Sequence, residues 1–338
     1  MAQRLVLATV ADVAADKVDA LLTVDEELEV LRVNHPGPTC EFRFTVEADR
    51  LDEVLDPLQQ ALSGYAGFRV LVLPIETVIP RPAPPPVPEE SAEAETEEKP
   101  KRRSNRIGRD ELLTRLDQAA RLDRSYLVMV LLSTVVAVLG LTLDDIPLLI
   151  GAMVIAPLLG PNIALALSST MADRQLASRS LRTNLAGVAI AIGASMLMGL
   201  LFELPLDTAA MAARATLDLP DLAVALAAGA AGAMAYSSGT SGGLVGVMVA
   251  VALLPPLTAA SLYLADGDYP AATGAALLLL GNLVSLNLAG IVVFLARGYA
   301  PREWWRKDSS RKVARRMLAW WFTLFVALAF FAHLASQG

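Results

Sequence analysis

The chain has 338 residues, 54% of them hydrophobic and 19% charged, with a formal net charge of −7 and a mean hydropathy of +0.49. That is too apolar for an ordinary soluble protein of this length, and the negative balance argues against a nucleic-acid binder. A single cysteine, Cys40, and two distant histidines, His35 and His333, exclude an intrachain disulfide and offer no metal-ligand spacing, so neither metal nor other cofactor is expected.

The first stretch, MAQRLVLATVADVAAD, turns acidic before an apolar core forms, unlike a signal peptide, and the N-terminus is expected in the cytoplasm. Residues 1–79 alternate: a strand at 4–10, a helix at 15–22, strands at 27–33 and 39–46 around NHPGP, a helix at 49–62 with Asp49 as N-cap, and a strand at 68–75. This β-α-β-β-α-β order predicts a small ferredoxin-like α+β cytosolic domain. Such a domain binds a cytosolic small molecule or pairs subunits, and fold alone names no ligand.

Residues 80–108 pass from PRPAPPPVPEE through SAEAETEEKP to KPKRRSNR, a Pro-rich and charged tether with no core-forming pattern. Residues 109–124 then place Leu112, Leu113, Leu116, Ala119, Ala120 and Leu122 on one helical side and arginines on the other, which predicts an amphipathic helix on the cytoplasmic membrane face.

Seven apolar segments follow, at about 125–143, 146–170, 181–202, 221–237, 243–265, 271–297 and 316–335, each long enough for roughly 30 Å of hydrocarbon. Basic residues precede the first span (Arg115, Arg121, Arg124), separate the second from the third (Arg174, Arg179, Arg182) and fill 302–316. The alternate connectors carry Asp144 and Asp145, then Glu203, Asp207 and Asp218, then Asp266 and Asp268. By the positive-inside rule the N-terminus lies in the cytoplasm and the C-terminus outside the cell (inner) membrane, with Trp304, Trp305, Trp320 and Trp321 at headgroup level.

GAMVIAPLLGPNIA (151–164) aligns with GVMVAVALLPPLTA (246–259) at a constant offset of 95, setting Gly151, Met153, Leu158 and Pro161 on Gly246, Met248, Leu253 and Pro256. After a three-residue shift, Asn184-Leu185 meets Asn282-Leu283. Residues 125–202 and 221–297 are thus two copies of three spans, joined by an outer connector at 203–220 and followed by a basic loop and seventh span at 298–338. Three being odd, the copies face opposite ways. The expected architecture is a multi-pass α-helical membrane protein with an inverted 3+3 repeat plus an extra helix, a pattern that places a transport site at matched helix breaks.

No Asp, Glu, Lys or Arg lies mid-span, which removes a proton-relay carboxylate and a buried counter-ion; no catalytic constellation is present either, and the chain is not expected to be an enzyme. The expected substrate-binding residues are Pro157, Gly160, Pro161 and Asn162 in one copy, Pro255, Pro256 and Thr258 in the other, and Asn184, Asn282 and Ser285 from neighbouring spans. Helix ends there hold a small anion through N–H groups or a cation through carbonyls. Ser195 and Asn287 are among the remaining neutral groups, read as interhelical hydrogen bonders. Arg214, Asp218 and Asp221 form a rim, either a local ion pair or a selecting mouth; Ala225, Gly229 and Ala233 permit close helix approach; YSSGTSGG (236–243) is a candidate gate or a plain turn.

These features predict a transporter or channel for a small solute or ion, embedded in the bilayer as a homo-oligomer. The alternative is a non-transporting receptor or scaffold whose soluble domain binds a ligand. IGAMVIAPLLGPN, ARATLDLPDLAVALAAGAAGAMA, LVGVMVAVALLPPL and LLLLGNLVSLNLAG resemble the prokaryotic hydrophobic membrane proteins of domain of unknown function 389. The resemblance covers about 140–300, with a departure at LDLPDL, and the N-terminal domain ending in LPIETVIP looks like that of the longer members. It implies an architecture and assigns no activity.

Overall fold

The computed structural model describes residues 3–23, 25, 28–34, 37–65, 67–75, 107–239, 243–299 and 304–335, with backbone alone for 243–251, 304–315 and 333–335. The tether at 80–106, His35, Thr240, Ser241 and Arg302 lie outside the described residues, as do the side chains of Trp304, Trp305, His333 and the basic stretch 306–315. The chain divides into two units, Met1–Arg109 and Asp110–Gly338.

In the first unit β1 (Gln3–Ala11) pairs antiparallel with β3 (Thr39–Glu47) on one side and with β4 (Arg69–Ile75) on the other. β2 (Val30–Asn34) pairs with β3, giving the order β2-β3-β1-β4. The period-2 pattern turns Val6, Ala8 and Val10 of β1 and Cys40, Phe42, Phe44 and Val46 of β3 to one face. There α1 (Ala15–Leu22) and α2 (Leu51–Leu62) close the core with Val18, Leu22, Leu51, Leu55, Leu58 and Leu62. Each large side chain so removed from water contributes about 1.5–3 kcal/mol. The other face sets Leu5 opposite Leu73 and Leu7 opposite Leu71 and leaves Leu31, Leu71 and Leu73 exposed.

Three boundaries differ from expectation. β2 begins at Val30 rather than 27. Asp49 does not cap α2: the preceding residue is Arg50, without a side-chain cap, and acid enters a turn later as Asp52 and Glu53. That acid has another partner. The Arg109 N–H donates to the Asp52 carboxylate at 3.0 Å and its guanidinium pairs with Asp56 at 2.9 Å, while Ile107 is buried, so the last residues of the 80–108 tether belong to the first unit.

The second unit is helical: α3 (Arg109–Ala119), α4 (Arg124–Thr142), α5 (Ile146–Ile155), α6 (Leu159–Met171), α7 (Arg174–Leu201), α8 (Ala209–Ala212), α9 (Leu219–Ser237), α10 (Gly243–Asp266), α11 (Tyr269–Ala296) and α12 (Trp304–Ala335). Among the described residues α4, α7, α9 and α11 are long and apolar enough to cross a membrane, and α5 with α6 make a fifth span if the bent pair counts as one; α12 has a shorter apolar stretch, Arg316–Ala332. The connector acids set where these helices start: Asp123, Asp145, Asp173 and Asp268 each accept from a first-turn N–H, and Asp218 forms a capping box with Asp221.

The same chemistry shortens α3. Asp123 takes an extended conformation to cap α4 (φ −122°, ψ 172°), so the helix expected over 109–124 stops at Ala119. Leu112, Leu116 and Ala120 are fully buried and Leu122 is 49% exposed, so the apolar face is largely covered by protein. α11 is the centre of the unit, packed against α6, α9, α10 and α12. The expected close approach occurs at Gly229 of α9, where a Cβ would come within 2.6 Å of the Leu286 carbonyl.

Candidate functional site

At the first proline pair the span breaks. α5 ends at Ile155, Ala156 is extended (φ −66°, ψ 118°), and α6 resumes at Leu159 with a bend of 55°. Pro157 has no N–H for the Met153 carbonyl and disfavours helical geometry at Ala156. Pro161 removes the donor for the Pro157 carbonyl, the next rung on the same face. Being the third residue of α6, Pro161 itself loses only a bond that a helix start lacks anyway.

Gly160, Pro161 and Asn162 are buried and Pro157 is half-buried. The Asn162 amide donates to the Leu158 carbonyl at 2.8 Å and faces Asn184 of α7 in a reciprocal amide pair at 3.3 and 3.4 Å. Gly160 is required here, because a Cβ would lie 2.7 Å from that of Ala119. The end of α3 thus rests on the break, and the Thr183 hydroxyl holds the Ala120 carbonyl at 2.7 Å.

At the second pair the expectation of a break is corrected: Pro255 and Pro256 lie inside a continuous α10. They deprive the Val251 and Ala252 carbonyls of donors, adjacent rungs that point in different directions around the helix. Asn282 of α11 supplies one replacement, its Nδ2 donating to the Ala252 carbonyl at 2.7 Å within the core. A side chain from another helix stands in for the missing backbone amide. Ser285, fully buried, donates to the Gly281 carbonyl at 2.7 Å, and the Thr258 hydroxyl, also fully buried, has no partner among the described residues.

Asn287 belongs with this group although its residue type alone gave no reason to include it. It is fully buried, donates to the Leu283 carbonyl at 2.9 Å, and its Oδ1 is unpartnered among the described residues. It lies one turn before Gly290, where α11 meets Ala166 of α6. The signal was its place in a helix segment, Val284–Ile291, buried on every side. α11 packs against both proline-bearing helices, α6 and α10, while the Asn162–Asn184 pair lies between α6 and α7.

The rim residues are not gathered into this site. Arg214 donates to the Ala210 carbonyl at 2.9 Å, and Asp218 and Asp221 form the N-terminal box of α9, with the Asp218 N–H on the Asp221 carboxylate at 3.0 Å. Burial holds the Arg214 guanidinium below the usual arginine range, opposed by Asp221 and Asp144. What the described site offers is neutral oxygens and amides, suited to binding and orientation rather than proton transfer.

Residues 153–288 match the family described as domain of unknown function 389. An uncharacterized protein of Methanocaldococcus jannaschii is 39% identical over 278 residues, which cover 82% of this chain and 82% of that protein. No solved structure matches the chain.

Proposed function

We propose that this chain, which belongs to the domain of unknown function 389 family as its motifs implied, moves a small solute or ion across the cell (inner) membrane through the polar core around α11. The observation that carries the reading is the 55° break between α5 and α6 in an otherwise apolar span, with the Asn162–Asn184 pair beside it. Opened backbone in hydrocarbon persists only where protein or a water-lined cavity satisfies it.

The inverted 3+3 repeat is part of the proposal. Under the exchange of α4, α5–α6 and α7 with α9, α10 and α11, the packing of α7 on α10 corresponds to that of α6 on α11, and both pairs are in contact. Asn184 and Asn282, matched in the alignment, each reach the proline-bearing helix of their own copy, Asn184 through Asn162 and Asn282 directly. Seven spans, a cytoplasmic N-terminus and an outer C-terminus follow from the charge pattern. The first unit is a ferredoxin-like module, supported by its sheet order, which senses a cytosolic ligand or joins subunits; its open Leu-rich face favours the latter and a homo-oligomer.

Solute flux into proteoliposomes tests the proposal. At least one member of a panel of alkali cations, small anions and neutral metabolites should move, and Asn184→Ala with Asn282→Ala should slow it at least about tenfold, a loss of about 1.4 kcal/mol. Folded, inserted protein that moves none of them would leave the receptor or scaffold reading in its place.

A further inference from the structure

We infer that the polar core around α11 binds a small monovalent cation, held by the Asn282 side-chain oxygen and the Val251 backbone carbonyl that Pro255 leaves open on α10. The inference rests on the reading of this core as a transport site and fixes the charge of what it takes.

The sign of the ligand follows from which hydrogens are already engaged. Only the nitrogen of a side-chain amide can donate to a carbonyl, so the bonds from Asn282 to Ala252 and from Asn287 to Leu283 fix both amides with their oxygens turned away. Those oxygens have no partner among the described residues, on side chains that are 6% and 0% exposed. Between them Ser285 directs its hydrogen to the Gly281 carbonyl and keeps only lone pairs. Asn282 and Ser285, three residues apart and so on one side of α11, present acceptors alone there, while Asn287, five residues beyond Asn282, turns its bare oxygen to another side of the helix. An anion there would meet oxygen lone pairs; a cation would meet ligands.

The prolines add a second source of oxygen. Pro255 and Pro256 withhold the helical donors of the Val251 and Ala252 carbonyls; Asn282 replaces the second, which leaves the Val251 carbonyl without its helical donor on a helix packed against the one that carries the bare Asn282 oxygen. An acceptor buried without a donor, as the Asn282 oxygen is, is costly in a membrane interior, and a bound cation removes that cost. Charge then limits valence. α10 and α11 carry no Asp, Glu, Lys or Arg from Gly243 to Ala265 or from Tyr269 to Ala296. Divalent cations are held by carboxylates, whereas neutral amide and carbonyl oxygens without a carboxylate suit a monovalent ion.

The test is the melting of the full chain in detergent, titrated with lithium, sodium or potassium chloride against choline chloride at constant ionic strength. One alkali cation should raise Tm saturably, by about 5 °C or more at a hundredfold excess over Kd. Asn282→Leu should abolish the rise. Should that variant not fold, Pro255→Ala with Pro256→Ala returns both carbonyls to the helix ladder in a chain that should fold at least as well, and its half-saturating concentration should increase at least about tenfold. Three cations indistinguishable from choline, or a double-alanine variant with the wild-type response, would overturn the inference, as would stabilisation that follows the anion when chloride is exchanged for gluconate. Cation-dependent melting without flux of any solute supports this site and removes the transport reading; flux of a solute without cation-dependent melting does the reverse.

Discussion

The two proline sites carry the same motif and take opposite courses, a bent pair at Pro157–Pro161 and an unbroken helix at Pro255–Pro256. Placement is one cause. Pro157 falls in the gap between α5 and α6, with Pro161 in the first turn of α6 where it removes no helical bond; side by side within α10, Pro255 and Pro256 remove rungs that point in different directions, and the ladder survives above and below. The second cause is an outside donor. Asn282 reaches the Ala252 carbonyl directly, whereas Asn184 is paired with the Asn162 side chain and with no backbone carbonyl of the break among the described residues. Whether proline breaks a membrane helix is thus decided partly by what a neighbouring helix provides.

Substitutions sharpen this contrast in a definite order. Gly160→Val forces a branched side chain into the space of Ala119 and should cost about 1–3 kcal/mol or more of stability, measured by thermal unfolding in detergent. Asn282→Leu leaves the Ala252 carbonyl bare and should cost about 1–3 kcal/mol, with Pro256→Ala recovering at least half of it in a double-mutant cycle. Full additivity of that pair would mean that the Asn282 amide does not replace the donor missing at Pro256. Asn184→Ala loses a longer, half-exposed amide contact and should cost less, about 0.5–1 kcal/mol. Smallest is Pro161→Ala, expected within about 0.5 kcal/mol of wild type because a first-turn N–H has no helical partner to regain.

What was legible in the sequence follows the range of the interaction responsible. The strand and helix order of the first unit rests on local periodicity, and the register at Phe42 and Phe44 agrees with it. The break at Pro157 is local too, since Ala156, Pro157 and Gly160 lie within five residues. Continuity at Pro256 was hidden because its explanation lies at Asn282, in another helix. The end of α3 was legible in principle, as Asp123 must leave helical geometry to cap α4, but competed with an apolar stripe running on to Leu122. Burial was least readable. α7 and α11 are both 28 residues long and their most apolar windows have mean hydropathies of 1.9 and 2.2, yet 17% of the first window and 67% of the second is buried. Hydropathy cannot tell a helix facing lipid from one facing protein; the amides of Asn282 and Asn287, which need partners, point to the second.

The bond between the Asn282 amide and the Ala252 carbonyl also has an evolutionary reading. Pro256 and Asn282 form one unit of inheritance, because each explains the other's chemistry. A lineage that regains an N–H at 256 has no carbonyl left for the amide to serve, and one that drops the amide first carries an orphaned carbonyl until the proline goes. In aligned relatives the two positions should therefore change together, in that order of tolerance, while Pro161 drifts independently of both.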